Sequence, residues 1–222
     1  MIAATLRLYT LHPLLFAALA LMVVVPYELA VLAITHIPPL GARHESPGTA
    51  MTLGLLDVAL VGPMVSALYA HAVLTVGAVQ RPRLLRVAGS GLTALPVVAA
   101  AQIAAALGIA AGLFAFIVPG IVLAVRWAVV AQVAAIERTD WMGALRRSLA
   151  LTRGQFVHAF AVILCAAVVD LALAAAGSAL TEPSARAGDV VLGIAIVTVA
   201  RSFAALTTAL LYFDLLARQP AR

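Results

Sequence analysis

The chain has 222 residues, of which 64% are hydrophobic and only 10% are charged, and its mean hydropathy is +1.12. A soluble globular domain carries about 25% charged residues. This chain therefore has too few charges to cover a surface that faces water. Its composition excludes a soluble enzyme, a disordered protein and a coiled coil, and it indicates an integral membrane protein.

The charges are unusual in kind as well as in number. All 14 basic residues are arginines, and they stand against nine acids, which gives a formal net charge of +5. In a membrane protein this excess predicts anionic lipid of the cytoplasmic leaflet as the partner, rather than nucleic acid. The single cysteine, Cys165, lies in an apolar run and cannot form an internal disulfide, so we interpret it as a packing residue.

Six apolar segments approach or exceed the length of about 20 residues that a spanning helix needs. They cover residues 14–34, 51–76, 92–114, 119–136, 156–177 and 190–213. The apolar stretch 92–136 would reach about twice the bilayer thickness as one helix, so we expect it to fold back at Pro119–Gly120. Unbroken apolar runs exclude the alternating pattern of a β-barrel. The predicted fold is an all-α polytopic transmembrane helical bundle, a single membrane domain over residues 1–222.

The first span has some features of a signal peptide, since Arg7 precedes it and Val31-Leu32-Ala33 is similar to a cleavage site. A signal peptide, however, has an apolar region of about 7–15 residues. This run is longer and is interrupted by Pro26-Tyr27-Glu28. We therefore expect the span to be retained. In the third span, Gly108 and Gly112 form a GxxxG pattern, which predicts close helix contact.

The arginines predict the orientation of the bundle. Ten of them fall in the N-terminal segment, the second and fourth connections and the C-terminus, whereas only Arg43 and Arg186 lie on the other side. Both termini are therefore predicted to lie in the cytoplasm. The absence of lysine and the excess of alanine and arginine suggest a bacterial sequence, and hence the bacterial cytoplasmic (inner) membrane.

The connection between the fourth and fifth spans predicts a short cytoplasmic amphipathic helix. Asp140 is a candidate N-cap, and Gly154 is a candidate helix end. Trp141, Leu145 and Leu149 recur four residues apart, on one face. We interpret this segment as a helix lying on the inner leaflet, with Trp141 as its anchor.

Six arginines in the two cytoplasmic connections form a candidate lipid-headgroup surface. The alternative interpretation is that the same arginines only set the topology of the chain. The six are Arg81, Arg83, Arg86, Arg146, Arg147 and Arg153.

Five acidic or arginine residues lie inside the predicted spans, where each charge costs at least about 2.5–3.5 kcal/mol. They form a candidate buried charge network of Glu28, Asp57, Arg126, Asp170 and Arg201. Opposite charges are available to pair, so one interpretation is an ion-pair network that fixes helix packing. The other is a path for a solute or a pocket for a headgroup.

Motifs for catalysis and for metal binding are missing from the sequence. His44-Glu45 begins like H-E-x-x-H but lacks the second histidine, and neither a G-x-S-x-G elbow nor a P-loop occurs. We therefore expect no enzyme activity, no metal and no cofactor.

Several motifs in the second half of the chain carry a family resemblance. Residues 118–127 read VPGIVLAVRW, residues 144–154 read ALRRSLALTRG, and residues 211–215 read LYFDL. With Glu137, these segments resemble the membrane domain of glycerophosphoryl diester phosphodiesterases. The positions that match the family motifs are Pro119, Gly120, Arg126, Glu137, Arg147, Ser148, Gly154, Tyr212 and Asp214.

The resemblance implies a six-span membrane domain and carries over no phosphodiesterase activity. Relatives often have a proline after the span that contains the arginine, whereas this chain has Ala131-Gln132-Val133 there. Two functions remain open. The first is a non-enzymatic membrane protein that binds or organises lipid or a membrane partner. The second is a transporter or permease subunit with a buried charged path.

Overall fold

A computed structural model describes residue 11 and residues 13–35, 47–77, 84–137, 139–180 and 187–219 of the chain. Over these ranges the backbone is helical apart from short turns and contains no strand, which confirms the predicted all-α bundle. The helices are α1 (Pro13–Thr35), α2 (Pro47–Leu56), α3 (Gly62–Gly77), α4 (Leu84–Ala115), α5 (Ile117–Arg126), α6 (Val130–Ile136), α7 (Trp141–Leu151), α8 (Phe156–Leu180) and α9 (Ala187–Ala217). A π-helical segment, Asp57–Val61, joins α2 to α3.

Within the described ranges, six helical segments are long and apolar enough to cross a membrane, so the protein is a multi-pass membrane protein. They are Leu14–Ile34, Ala59–Val76, Val87–Ala115, Ile117–Ile136, Phe156–Ala179 and Ala187–Ala217. Each overlaps one of the six spans predicted from hydropathy.

The chain reverses direction between α4 and α5 at Phe116, not at Pro119–Gly120 as predicted. Phe116 is extended, with φ −161° and ψ 142°, and Pro119 is the third residue of α5. The first N–H groups of a helix have no partner within that helix, so a proline loses nothing there. The proline that was expected to end one helix therefore lies in the first turn of the next.

Glycines allow α4 and α5 to approach closely. A Cβ added to Gly112 would lie 3.0 Å from the Cα of Gly120, and one added to Gly120 would lie 2.4 Å from Leu113 Cγ. Gly108, the other member of the GxxxG pattern, has a different neighbour. A Cβ there would lie 2.4 Å from the indole ring of Trp127, so this glycine makes room for an aromatic ring.

The fourth span is broken at residues 127–129, between α5 and α6. At the break, the N–H of Val130 donates to Trp127 instead of to Arg126. The carbonyl of Arg126 accepts from the hydroxyl of Ser148 at 2.8 Å, and Thr152 Oγ1 lies 3.4 Å from it. Inside a membrane a freed carbonyl needs such a partner. Helix α7 therefore supports the broken span as well as following it.

The core consists of two clusters of buried apolar side chains that share three helices. One cluster joins α3, α4 and α9 to the α5–α7 region and α8, and the other joins α3, α4 and α9 to α1. Helix α8 is peripheral, and large side chains such as Val157, Val168 and Leu171 are exposed on it. Exposed apolar side chains of this kind are suited to contact with lipid, because lipid tails are as apolar as the side chains themselves.

Candidate functional site

An ion pair between Asp57 and Arg201 lies inside the bundle. Arg201 Nη1 donates to Asp57 Oδ2 at 3.0 Å, and Arg201 Nη2 lies 2.7 Å from Asp57 Oδ1 as an ion-pair contact. Both side chains are half-buried. An ion pair that includes a hydrogen bond compensates part of the cost of placing charge in a span.

Two further acids of the predicted charge network lie beside the same arginine. Glu28, Asp170 and Arg201 line one cavity of about 270 Å³. Glu28 is buried, whereas Asp170 is exposed. Arg126 lies elsewhere, at the end of α5, and its half-buried side chain makes no ion pair with the described residues. The structure thus brings four of the five predicted residues together and separates Arg126 from them.

A second cavity, of about 340 Å³, begins on the other side of the Asp57–Arg201 pair. Asp57 contributes to its lining, and so do Gln102, Trp127, Gln132 and Thr208. Gln132 is only 1% exposed, and its Nε2 donates to Thr208 Oγ1 at 2.9 Å. We name this space the amide cavity. The two glutamines were not among the predicted site residues, although an amide in an otherwise apolar span was a visible signal.

The π-helical segment places Asp57 at the amide cavity. The segment begins at Asp57 and ends before Gly62, which also lines the cavity. A Cβ at Gly62 would lie 3.6 Å from Gln102 Oε1, so the amide of Gln102 lies close to the helix backbone. Single π-helical turns are rare and occur frequently at functional sites.

A third cavity, of about 620 Å³, is lined by His71 together with Ser90, Thr93 and Thr139. His71 Nδ1 lies 2.8 Å from the carbonyl of Ala67, one turn earlier in the same helix. This contact fixes the ring within α3, so the histidine is held by its own helix.

Helix α7 meets the end of α6 and the last turns of α9 at one end of the bundle. We call this region, around Glu137, Arg147 and Tyr212, the α7 end. Glu137, just after α6, accepts from Arg147 Nε at 3.1 and 3.2 Å and from the hydroxyl of Tyr212 at 3.0 Å. Arg147 also donates to Gln219 at 3.3 Å. One carboxylate therefore joins the end of α6 to α7 and α9.

A second carboxylate makes a similar connection between α8 and α9. Asp214 Oδ2 lies 2.9 Å from His158 Nε2 and 2.7 Å from Arg218 Nε. The beginning of α8 is therefore attached to the last turns of α9. Five of the nine motif positions lie in or beside these contacts: Glu137, Arg147, Ser148, Tyr212 and Asp214.

Helix α7 begins where the sequence predicted and ends at Leu151, three residues before the predicted end at Gly154. The carboxylate of Asp140 accepts from the N–H of Gly143 at 3.1 Å, which is N-cap geometry. Gly154 follows the helix with φ +80°, a conformation that favours glycine. The buried face differs from the predicted stripe, because Ala144, Leu145, Ser148 and Leu151 are buried there. Trp141 is 42% exposed.

The arginines of the candidate lipid surface separate into groups. Arg146 and Arg153 are exposed, and Arg147 is turned toward Glu137. Met142 is exposed beside Trp141, so the outer face of α7 combines two large apolar side chains with the cation of Arg146, and Arg153 adds a second cation in the turn that follows. Arg81 and Arg83, and the side chain of Arg86, lie outside the described residues.

The described residues contain no group of three or more His, Cys, Asp or Glu side chains placed to hold a metal ion. Cys165 is a half-buried free thiol in α8. Comparison of the chain with protein-family models, with curated proteins and with solved structures found no match in any of the three.

Proposed function

We propose that this membrane protein is non-enzymatic and binds anionic lipid headgroups at the α7 end, with both termini in the cytoplasm of a bacterial cell. The observation that carries the proposal is the outer surface of α7 and the turn after it, where Arg146 and Arg153 are exposed together with Trp141 and Met142. A basic helix face with a tryptophan at its edge is typical of a surface that lies against anionic headgroups.

The other face of α7 is held rigidly, which supports the same proposal. Arg147 binds Glu137, and the hydroxyl of Ser148 binds the backbone of Arg126. Because these contacts fix the helix, its outward cations are positioned before lipid arrives. A preorganised surface loses less conformational entropy on binding than a mobile one.

The family resemblance adds a second argument, because the residues that carry it make these contacts. Residues that carry the resemblance, among them Glu137, Arg147, Ser148 and Tyr212, are far apart in sequence and meet at the α7 end. Their meeting supports the interpretation that they act as one structural unit. We propose that the chain is similar in role to the membrane domain of glycerophosphoryl diester phosphodiesterases, with a lipid or a membrane protein as its partner.

The lipid proposal is tested by counting bound lipid on purified protein. Nanodiscs containing phosphatidylglycerol and phosphatidylcholine would be used, with native mass spectrometry of the released protein as the readout. We expect Arg146→Gln/Arg153→Gln to lose retained phosphatidylglycerol, because each cation near a charged surface contributes about 1 kcal/mol. Arg43→Gln/Arg186→Gln is the matched control, since it removes two arginines from the other predicted face. Equal loss in both variants would contradict a site on α7.

A second candidate function is solute transport, and one observation favours it. Arg201 lines the cavity that contains Glu28 and Asp170, whereas its partner Asp57 lines the amide cavity. The ion pair therefore contributes one partner to each of two polar cavities. We propose that a pair in this position acts as a gate between the two cavities.

Flux through proteoliposomes tests the second candidate separately. Swelling in glycerol or urea would report uptake of small neutral solutes, and an internal pH dye would report protons. We expect Asp57→Asn/Arg201→Gln, which removes the pair without leaving a lone charge, to change the rate. The control is Arg126→Gln, which alters a span arginine outside the pair. No flux in the wild-type protein and in both variants would reject transport.

A further inference from the structure

The amide cavity contains hydrogen-bonding atoms that the protein does not use. Gln102 Oε1, Gln132 Oε1 and Trp127 Nε1 are buried, and none of them has a hydrogen-bond partner among the described residues. All three side chains line the cavity. A buried polar group without a partner is costly, and native proteins keep few of them.

The surroundings hold these groups in place. The indole of Trp127 lies against Gly108, where any side chain would collide with the ring. The amide of Gln132 is fixed by its hydrogen bond to Thr208. The polar atoms therefore belong to rigid elements, namely α4, α6 and the turn between α5 and α6, so they are suited to binding.

The charge of the cavity limits the ligand. Asp57 is the ionisable residue in the lining, and it forms an ion pair with Arg201. The lining is thus close to neutral. Its atoms without a hydrogen bond are the two amide oxygens, the indole N–H and Asp57 Oδ1, and the charge of Asp57 Oδ1 is balanced by Arg201. A charged ligand would enter an apolar bundle without a counter-charge, which is unfavourable. A neutral ligand with hydrogen-bond donors meets no such cost.

The size and the walls of the cavity limit the ligand further. A volume of about 340 Å³ lies at the lower end of ligand pockets. Ala105, Ala106 and Ile109 form an apolar wall on α4. The space suits a molecule with a few carbon atoms and two or more hydroxyl or amide groups.

We propose that the amide cavity is a binding site for a small uncharged molecule that donates hydrogen bonds to Gln102 and Gln132 and accepts one from Trp127. This inference goes beyond lipid binding at α7, and it requires binding only, not passage across the membrane. The π-helical turn at Asp57 fits such a site, because it places a carboxylate at the cavity instead of continuing a regular helix.

Trp127 provides the test, because the chain has only two tryptophans. In Trp141→Phe protein, excited at the red edge of the tryptophan band, the emission comes from Trp127 alone. Glycerol, urea and acetamide would be titrated into this variant in liposomes, which contain no other protein, with choline and acetate as charged probes. We expect a saturable change in emission with at least one neutral probe and none with the charged probes. A new hydrogen bond to the indole N–H shifts emission to longer wavelength.

Three variants decide whether the signal comes from the proposed contacts. Gln102→Leu and Gln132→Leu each remove an acceptor, and each is expected to weaken the response at least tenfold. Ile109→Leu changes the apolar wall and is the matched control, so its response is expected to remain. Phosphatidylglycerol retention, measured in parallel, reports the α7 proposal independently.

Two results would overturn the inference. The first is a linear, non-saturable response to every neutral probe, which would mean that the cavity holds water only. The second is an unchanged response in Gln102→Leu and Gln132→Leu when both variants keep the thermal stability of the parent. A variant that unfolds is replaced by Gln102→Met, which keeps the length of the side chain and removes the amide.

Discussion

Individual carboxylates decide how the helix ends are joined. Glu137 accepts from both Arg147 and Tyr212, and Asp214 binds both His158 and Arg218. Each carboxylate therefore connects two or more elements that are distant in sequence. Hydrogen bonds to a charged acceptor are about twice as strong as neutral ones, so a few residues can attach several helices.

The shared acceptor predicts that Arg147 and Tyr212 depend on one another. Tyr212→Phe removes one donor from Glu137 and is expected to cost about 1 kcal/mol of unfolding free energy. Glu137→Gln is expected to cost more, because it leaves Arg147 without a carboxylate. A double-mutant cycle measured by reversible unfolding in mixed micelles is expected to be non-additive. Additivity within about 0.5 kcal/mol would contradict the shared contact.

The Asp57–Arg201 pair leads to a second prediction at this scale. Arg201→Met leaves a carboxylate at Asp57 without its ion-pair partner and is expected to destabilise by about 3 kcal/mol. Adding Asp57→Leu removes the stranded charge, so the double variant is expected to recover part of that loss. Unfolding midpoints in the same micelles measure both. If the double variant is less stable than Arg201→Met, an unpaired charge at Asp57 does not explain the cost of the single substitution.

At the scale of elements, small residues determine which helices approach. Helices α4 and α5 form a hairpin whose contact runs through Gly112 and Gly120, and α5 then ends at a break supported by α7. Lipid provides no hydrophobic force between helices, so close van der Waals contact is one of the main attractions. A side chain in this contact separates the backbones and weakens that attraction.

A series of glycine-to-alanine substitutions tests this contact. Gly112→Ala and Gly120→Ala are each expected to cost about 1–3 kcal/mol, because the added methyl overpacks the interface. Gly89 lies in the same helix α4, where an added Cβ meets nothing within 4 Å. Gly89→Ala is therefore the matched control, expected to be neutral or to gain up to about 1 kcal/mol of helix propensity. Equal effects at all three positions would contradict the close approach.

At the scale of the whole molecule, α3, α4 and α9 contribute to both core clusters, and α8 contributes to one of them. The contacts Glu137–Tyr212 and His158–Asp214 place the end of α6, the beginning of α8 and the end of α9 at one end of the bundle. The beginning of α9 lies at the other end, because a helix of 31 residues extends for about 46 Å.

Thiol labelling tests the orientation of this arrangement. In a Cys165→Ala background, Gln155→Cys and Gln219→Cys are expected to react with an impermeant maleimide only after the cells are opened. Gly188→Cys is expected to react in intact spheroplasts. The reason is that the arginine bias places the α7 end in the cytoplasm. The reverse labelling pattern would invert the predicted topology and would move the proposed lipid surface to the outer leaflet.

The sequence was informative wherever a local rule applied. Hydropathy predicted the six spans, and the predicted N-cap at Asp140 was confirmed. Gly154 has the positive φ expected of a glycine after a helix, although the helix itself ends at Leu151. The position of the reversal was predicted wrongly, because Pro119 was compatible with either the end or the beginning of a helix. Local rules determine which segments are helical, and they leave the direction of each side chain undetermined.

The site depended on contacts between residues that are far apart along the chain. The sequence identified five charged residues within the spans. It did not show that Arg201 pairs with Asp57, 144 residues away, or that Arg126 is separated from both of them. In the same way, Arg146 and Arg147 are adjacent, yet one is exposed and the other binds Glu137. Neighbours on a helix differ by about 100° in direction, so packing alone assigns one to the surface and the other to the interior.

The scarcity of charge, 10% of the residues, together with the long unbroken apolar runs, determined that this protein is a helical membrane bundle. The reason is that transfer of apolar segments into lipid depends on composition and length, which are properties of the sequence. Only the tertiary structure decided which charges are paired, which arginines remain exposed and where unused polar atoms surround a cavity. Those outcomes depend on distances between helices, and distances of this kind arise from packing.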